Sequence, residues 1–272
     1  MADRNLKVAL VPLDIVFGNP RANIKALEER LATIDSDTDL VVVPEMFSTG
    51  YTTERDTLRG MAEEPDGPAL TAVRKLSGHY GSAIAGAYLA RENNSDKKGD
   101  RVVNRGFFVT PTGETYFYDK HHLFRAGGEH ELIERGTEQS PVIEFRSWRI
   151  KMAVCYDIRF PVWNRNRNLE YDLLIVPANW AHAREYAWRH MLIARAIENQ
   201  IYVAGCNREG EDAYGVYERG DSFIFNHWGK ETGERREDGT VVGLLEADRL
   251  TKDRKRFSPW KDADDFTLNA ED

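Results

Sequence analysis

Short apolar runs without polar alternation recur along this chain: LKVALVPL from Leu6, LVVVP from Leu40, LLIVP from Leu173 and YVAGC from Tyr202. A strand that is apolar on both faces needs cover on both, so these runs exclude a sheet open to water on one side and call for helices outside it. Helical segments lie between them. Asn19-Pro20 reads as an N-cap followed by proline in the first helical position, with Ile24, Leu27, Leu31 and Ile34 at helical spacing. Residues 68–80 set Leu70, Val73 and Leu76 on one helical face, and 185–200 have helix composition throughout. Further strands are expected over 82–90, 102–110, 201–206, 222–226 and 241–246, with 143–155 a hairpin turning near Arg146-Ser147. The segment RENNSDKKGDR, 91–101, is a surface loop by composition. No linker interrupts the alternation, so all 272 residues are read as a single α/β domain with two sheets inside and helices outside.

One internal echo stands out. DLVVVPEMF from Asp39 and DLLIVPANW from Asp172 share an aspartate, an apolar strand, a proline and a polar-aromatic end. It is either a repeated strand-and-exit unit, with Glu45 and Trp180 at related strand ends, or a chance match.

Charge narrows the partners. With 37 basic against 45 acidic residues the formal net charge is −8, which leaves no basic field for nucleic acid or anionic lipid. No apolar stretch reaches the ~18 residues of a membrane span. The start MADRNLKVAL lacks the pattern of a secretory signal. The expected location is the cytoplasm, and the two cysteines, Cys155 and Cys206, are expected as free thiols.

Three strand-end blocks carry reactive groups. In the run 149–157, period-two alternation sets Ile150, Met152 and Val154 on one face and Lys151, Ala153 and Cys155 on the other. Cys155 would end that strand just before a helix-like stretch, whose N-terminus would favour the thiolate. The plain alternative is a small buried hydrophobe, which is how Cys206 in YVAGCN is read. Glu45 emerges where a buried strand stops, a costly place for a carboxylate unless it is used or paired. Lys120 follows alternating aromatics in YFYDKHHLF, and Glu129 follows two glycines in GGEHE; a solvated surface side chain is the alternative for each. His121, His122 and His130 match no zinc-ligand spacing, so no metal or cofactor is expected. Asp14, Asn104 and the acidic tail ADDFTLNAED read as loop, turn or solvated surface.

VVVPEMFSTGY, FYDKHHLF and VCYDIRFPVWNRN, in that order, resemble the three catalytic blocks of the nitrilase, or carbon–nitrogen hydrolase, superfamily. DLLIVPANW, ARAIENQIYVAGCNR, RGDSFIFNHWG and RFSPWKDADDF extend the resemblance over nearly the whole chain, toward the omega-amidase branch. The resemblance implies a four-layer αββα sandwich of two mixed sheets with outer helices. It also implies a Glu45, Lys120 and Cys155 triad, with Glu129 as a second active-site glutamate. The expected reaction is hydrolysis, through a thioester, of the side-chain amide of a short dicarboxylate monoamide such as 2-oxoglutaramate or succinamate. The backbone N–H of Tyr156 is expected beside the oxyanion and Arg159 as a carboxylate clamp, with Arg184 in reserve. Trp180, Phe47 and Tyr51 are expected as cavity walls. A homodimer is implied, with residues 248–272 reaching the partner. The alternatives are a nitrilase or other aliphatic amidase, and a non-catalytic binding protein on the same fold.

Overall fold

A computed structural model describes residues 5–92 and 100–268; the loop expected around 91–101 and the end of the acidic tail fall mostly on 93–99 and 269–272, outside the described residues. In chain order, β1 (Leu6–Leu10) leads to α1 (Pro20–Leu31), where the Asn19 side chain accepts the Ala22 N–H as an N-cap does. Then come β2 (Leu40–Val42), α2 (Arg55–Gly60), α3 (Pro68–Tyr80), β3 (Ala83–Glu92), β4 (Arg101–Val109), β5 (Thr115–Asp119) and the single turn α4 (Glu129–Leu132). The hairpin of β6 (Ile143–Phe145) and β7 (Trp148–Met152) turns through Arg146 and Ser147, both left-handed at φ 47° and 65°. The chain continues through β8 (Leu173–Ala178), α5 (Glu185–Asn199), β9 (Tyr202–Asn207), β10 (Gly210–Asp212) and β11 (Gly215–Tyr217). It closes with β12 (Phe223–Phe225), β13 (Glu234–Arg235), β14 (Val241–Leu245) and α6 (Ala247–Arg256).

Two mixed sheets result, ordered β13-β14-β1-β2-β3-β4-β5 and β12-β9-β8-β7-β6. Alternate residues of the first sheet, Leu6, Val8, Leu10, Leu40 and Val42, share one core with Ile150, Met152, Leu173 and Ile175 of the second. The opposite face, through Ala9, Val41, Val43 and Ile84, packs on Leu27 and Leu31 of α1 and on Leu70, Val73 and Leu76 of α3. On the far side, α5 presses Trp188 and Leu192 onto β9 so closely that a Cβ at Gly205 would stand 2.7 Å from Leu192. Helix, sheet, sheet, helix is the αββα sandwich. The uninterrupted apolar runs follow from it, since both faces of both sheets are covered.

The nine-residue echo is a structural repeat. β1-β2-β3 and β7-β8-β9 are parallel triplets, each flanked by antiparallel strands, β14 and β4 in one sheet and β6 and β12 in the other. Asp39 accepts the Lys7 N–H at 2.8 Å and returns its own N–H to the Lys7 carbonyl at 2.9 Å. Asp172 does the same with Arg149, at 3.3 and 2.7 Å.

β5 is the strand whose end the Lys120 block marks, whereas the β10–β11 hairpin, β13 and α6 carry no such sequence signal. ADRLTKDRKR offers only Ala247 and Leu250 to the core, and its other buried residue is Arg254, whose guanidinium bonds Asp172 at 2.5 Å and the Tyr171 carbonyl at 3.0 Å. That charged residue hides the helix from hydrophobic periodicity. Within one chain, the segment from residue 248 is anchored on its own domain. His227 holds Asp253 at 2.8 Å, and the Arg167 guanidinium lies over the Phe266 ring at 5.5 Å. No helix among the described residues is long and apolar enough to cross a membrane.

Candidate active site

Three chain reversals converge between the two sheets. After β2, Val43 keeps one more ladder bond, to the Ala85 carbonyl at 2.8 Å, and the chain turns at Pro44, Glu45 and a left-handed Met46 (φ 48°). After β5, Lys120 ties its N–H to the Asn104 carbonyl at 2.9 Å, which carries its side chain inward, 2% exposed. After β7, Ala153 bonds the Ile175 carbonyl at 3.1 Å and Cys155 opens a 3-10 turn, Cys155–Arg159, at φ 46°. A left-handed non-glycine residue at the end of a strand is strained, and the surrounding bonds must hold it there.

Asp157 supplies them. Fully buried, it accepts the Val154 N–H at 3.1 Å, the Tyr118 hydroxyl at 2.9 Å and the His122 N–H at 2.8 Å. His122 Nδ1 also lies 2.8 Å from Asp157 Oδ1. One carboxylate thus joins the β5 exit to the Cys155 turn.

The groups so gathered form a charged cluster. Lys120 Nζ lies 2.9 Å from Glu45 Oε1, and 3.0 and 2.8 Å from the two oxygens of Glu129. The Asn104 amide donates to Glu45 at 2.7 Å and to Glu129 at 3.2 Å; the Asn179 N–H donates to Glu45 Oε2 at 2.9 Å, and the Phe124 N–H to Glu129 Oε2 at 2.6 Å. Burial works against the Lys120 ammonium, but the charges of Glu129 and Glu45 outweigh it and hold its pKa well above the ordinary value. Burial and the negative charge of Glu45 push the Cys155 thiol well up, against the opposing pull of Lys120. The thiolate-favouring pull expected of a helix start does not prevail here: the turn is short and the site dry, and the shift runs toward the thiol.

Glu45, Lys120, Glu129 and Cys155 line one cavity of about 190 Å³, together with Asn179 and Tyr156. Cys155 is 7% exposed and begins the turn, so the first N–H groups there, including that of Tyr156, have no partner within the turn. Arg159 and Arg184 reach the rim, their guanidiniums 5.0 and 6.0 Å from the Trp180 ring centre, and Tyr51 closes one side with its hydroxyl donating to the Gly127 carbonyl at 2.7 Å.

Two expectations are overturned. Phe47 does not wall the cavity: it is fully buried in the core beneath α1 and α3, edge-on to Phe107 at 5.8 Å, because the turn at Met46 sends it to the other face of the sheet. Asn104 is not a turn or surface residue but a buried β4 side chain set between the two glutamates. A polar residue in the middle of the apolar run VVNRGFFV was the signal, since a strand covered on both faces holds one only when it is paired. Cys206 lies in the main core, away from the cavity. Asp14 is exposed, and His121 and His122 stack on Trp163 and Phe160 at 3.7 and 3.6 Å. His130 Nε2 stands 3.6 Å from Glu131, and no group of three or more metal-ligating side chains occurs among the described residues.

Known proteins share this architecture. A family model described as carbon–nitrogen hydrolase matches residues 7–255. The omega-amidase YafV of Escherichia coli is 37% identical over 97% of this chain and 98% of its own. The 2-oxoglutaramate amidase of Bacillus subtilis is 31% identical over 94% and 96%. Among solved structures, XC1258 of Xanthomonas campestris, a CN-hydrolase superfamily protein with an arsenic adduct in its active site, superposes with a TM-score of 0.90 at 35% identity, covering 97% of this chain and 99% of that one.

Proposed function

Because this chain belongs to the carbon–nitrogen hydrolase family and is an amidase, we propose that it hydrolyses the side-chain amide of short dicarboxylate monoamides, of the 2-oxoglutaramate or succinamate type, through a thioester on Cys155. The observation that carries this reading is the Lys120 ammonium held between Glu45 and Glu129 in the cavity that Cys155 lines. Its chemistry fits acyl transfer, a nucleophile, a proton acceptor and a fixed positive charge sharing one water-poor space.

In the first step the Cys155 sulfur bonds to the amide carbonyl carbon while Glu45 takes the thiol proton. Burial and the charge of Glu45 raise the thiol pKa, which favours removing the proton in the same step as the attack. The carbonyl π electrons move to oxygen, and the oxyanion meets the Lys120 ammonium and the Tyr156 N–H. On collapse the C–N bond breaks, Glu45 returns its proton to the leaving nitrogen, and ammonia departs from a thioester. Water then adds to the thioester carbon with its proton passing to Glu45; the C–S bond breaks, the proton returns to sulfur, and the dicarboxylic acid leaves. Glu129, bonded to Lys120 and to the Phe124 N–H, keeps the ammonium aimed at the oxyanion.

The substrate's remaining carboxylate needs a cation. Arg159 and Arg184 are exposed at the rim over Trp180, and a planar guanidinium suits bidentate binding of a carboxylate. The named activities of the Escherichia coli and Bacillus subtilis relatives support the same substrate class. The homodimer that the family resemblance implies belongs to the same proposal. The free cysteines support a reducing compartment, and we assign the enzyme to the cytoplasm.

Ammonia release from 2-oxoglutaramate and succinamate, run beside the corresponding nitriles, tests the reading. Turnover of the amides is expected, and release of ammonia from the nitriles alone would overturn it.

A further inference from the structure

The cavity has one wall that the mechanism does not use. We propose that Tyr214, at the tip of the hairpin formed by β10 and β11, sets the length of acyl chain the cavity accepts; this rests on the cavity taking ω-amides.

Tyr214 is fixed from several sides. Its hydroxyl oxygen accepts the Thr53 N–H at 2.8 Å and lies 3.2 Å from the hydroxyls of Thr52 and Thr53. Its ring meets Tyr51 edge-on at 5.4 Å, and Tyr51 in turn donates to the Gly127 carbonyl at 2.7 Å. Three separate segments are thereby stitched along one rim, and Tyr51, Gly127 and Tyr214 all line the cavity that holds Cys155.

The hairpin beneath Tyr214 is rigid as well. Asp212 accepts the Tyr214 N–H at 2.8 Å and is held by the buried Arg208 at 2.6 Å, whose guanidinium also lies over the Tyr217 ring at 4.4 Å. A Cβ at Gly215 would stand 2.9 Å from that of Ala181, so the hairpin rests directly on the loop that bears Trp180 and Arg184. Tyr214 is 41% exposed, one side facing solvent and the other the cavity. A wall anchored at both ends around about 190 Å³ cannot recede for a longer substrate, and an extra methylene that fits badly costs about 10- to 200-fold in kcat/KM.

The experiment compares kcat/KM for the monoamides of the four-, five- and six-carbon dicarboxylic acids in wild type, Tyr214→Ala and Tyr214→Phe. Tyr214→Ala is expected to raise the six-carbon to four-carbon ratio by about tenfold or more. Tyr214→Phe keeps the ring and is expected to keep the wild-type ratio, showing that bulk rather than the hydroxyl sets the limit. An unchanged ratio in an active Tyr214→Ala enzyme overturns the proposal. A wild type inactive on all three amides would instead overturn the substrate reading. Alkylation of Cys155 by ω-carboxy chloromethyl ketones of the same chain lengths, which needs no amide turnover, then decides the Tyr214 claim: Tyr214→Ala must selectively speed the longest reagent, and equal acceleration at every length overturns it.

Discussion

The carboxylate of Asp157 accepts the Tyr118 hydroxyl at 2.9 Å, joining the last strand of the first sheet to the turn that presents Cys155. The same carboxylate takes two N–H groups, from Val154 and His122. Asp157→Ala orphans these buried donors, each costing about 1–3 kcal/mol. The expected outcome is a lowered melting temperature together with a fall in kcat larger than the change in KM, read by calorimetry and steady-state kinetics. Unchanged kcat in a folded variant would remove Asp157 from the positioning of Cys155.

Cys155→Ala is expected to abolish ammonia release, while Cys206→Ala leaves it intact, since Cys206 sits in the core away from the cavity. Mass spectrometry of iodoacetamide-treated protein should find Cys155 modified first. Equal activity loss in both variants contradicts the nucleophile assignment.

Removing the charge of Lys120 leaves Glu45 and Glu129 buried against each other. Lys120→Met is expected to lower the unfolding free energy by about 3–5 kcal/mol in urea denaturation, besides abolishing turnover. Adding Glu129→Gln should recover part of the stability and none of the activity.

Arg159→Ala should raise KM for amides carrying a carboxylate far more than for neutral aliphatic amides of equal length, because only the former need its guanidinium. Equal changes for both classes would transfer the role to Arg184.

Acid stability should follow Asp119 and Asp172. Burial opposes their ionised forms, but hydrogen bonds and charges from Arg105 and Arg101, and from Arg149 and Arg254, prevail and lower both pKa values. Each therefore binds its proton more weakly in the folded chain than in the unfolded one. Their contribution is complete above the ordinary aspartate value, about 3.9, and is lost as pH falls through the lower folded values. Melting temperature should drop steeply below about pH 4. Asp172→Asn should be less stable at neutral pH and show a shallower drop.

Elements with strong local signals were legible: α3 over 68–80 and the turn at Arg146-Ser147 fall where periodicity and spacing put them. Glu45, Lys120, Cys155 and Glu129 each carried a solvated or buried alternative on its own, and their order along the chain, through the family resemblance, brought them together. Asn104 was misread because its meaning depends on the cover over β4, which lies in remote segments. Asn179 and Tyr214 left no local mark, since one acts at this site through its backbone N–H and the other through a hairpin whose direction is set by Arg208 and Ala181. Phe47 went wrong by one backbone turn, at Met46.

The paired aspartate clamps, Asp39 on Lys7 and Asp172 on Arg149, mark two halves built on one plan whose chemical endowments differ. The first half carries both acids and the ammonium, and the second carries the sulfur. Because β13 and β14, from the far end of the chain, complete the sheet that begins with β1, neither half closes its scaffold or its set of reagents without the other.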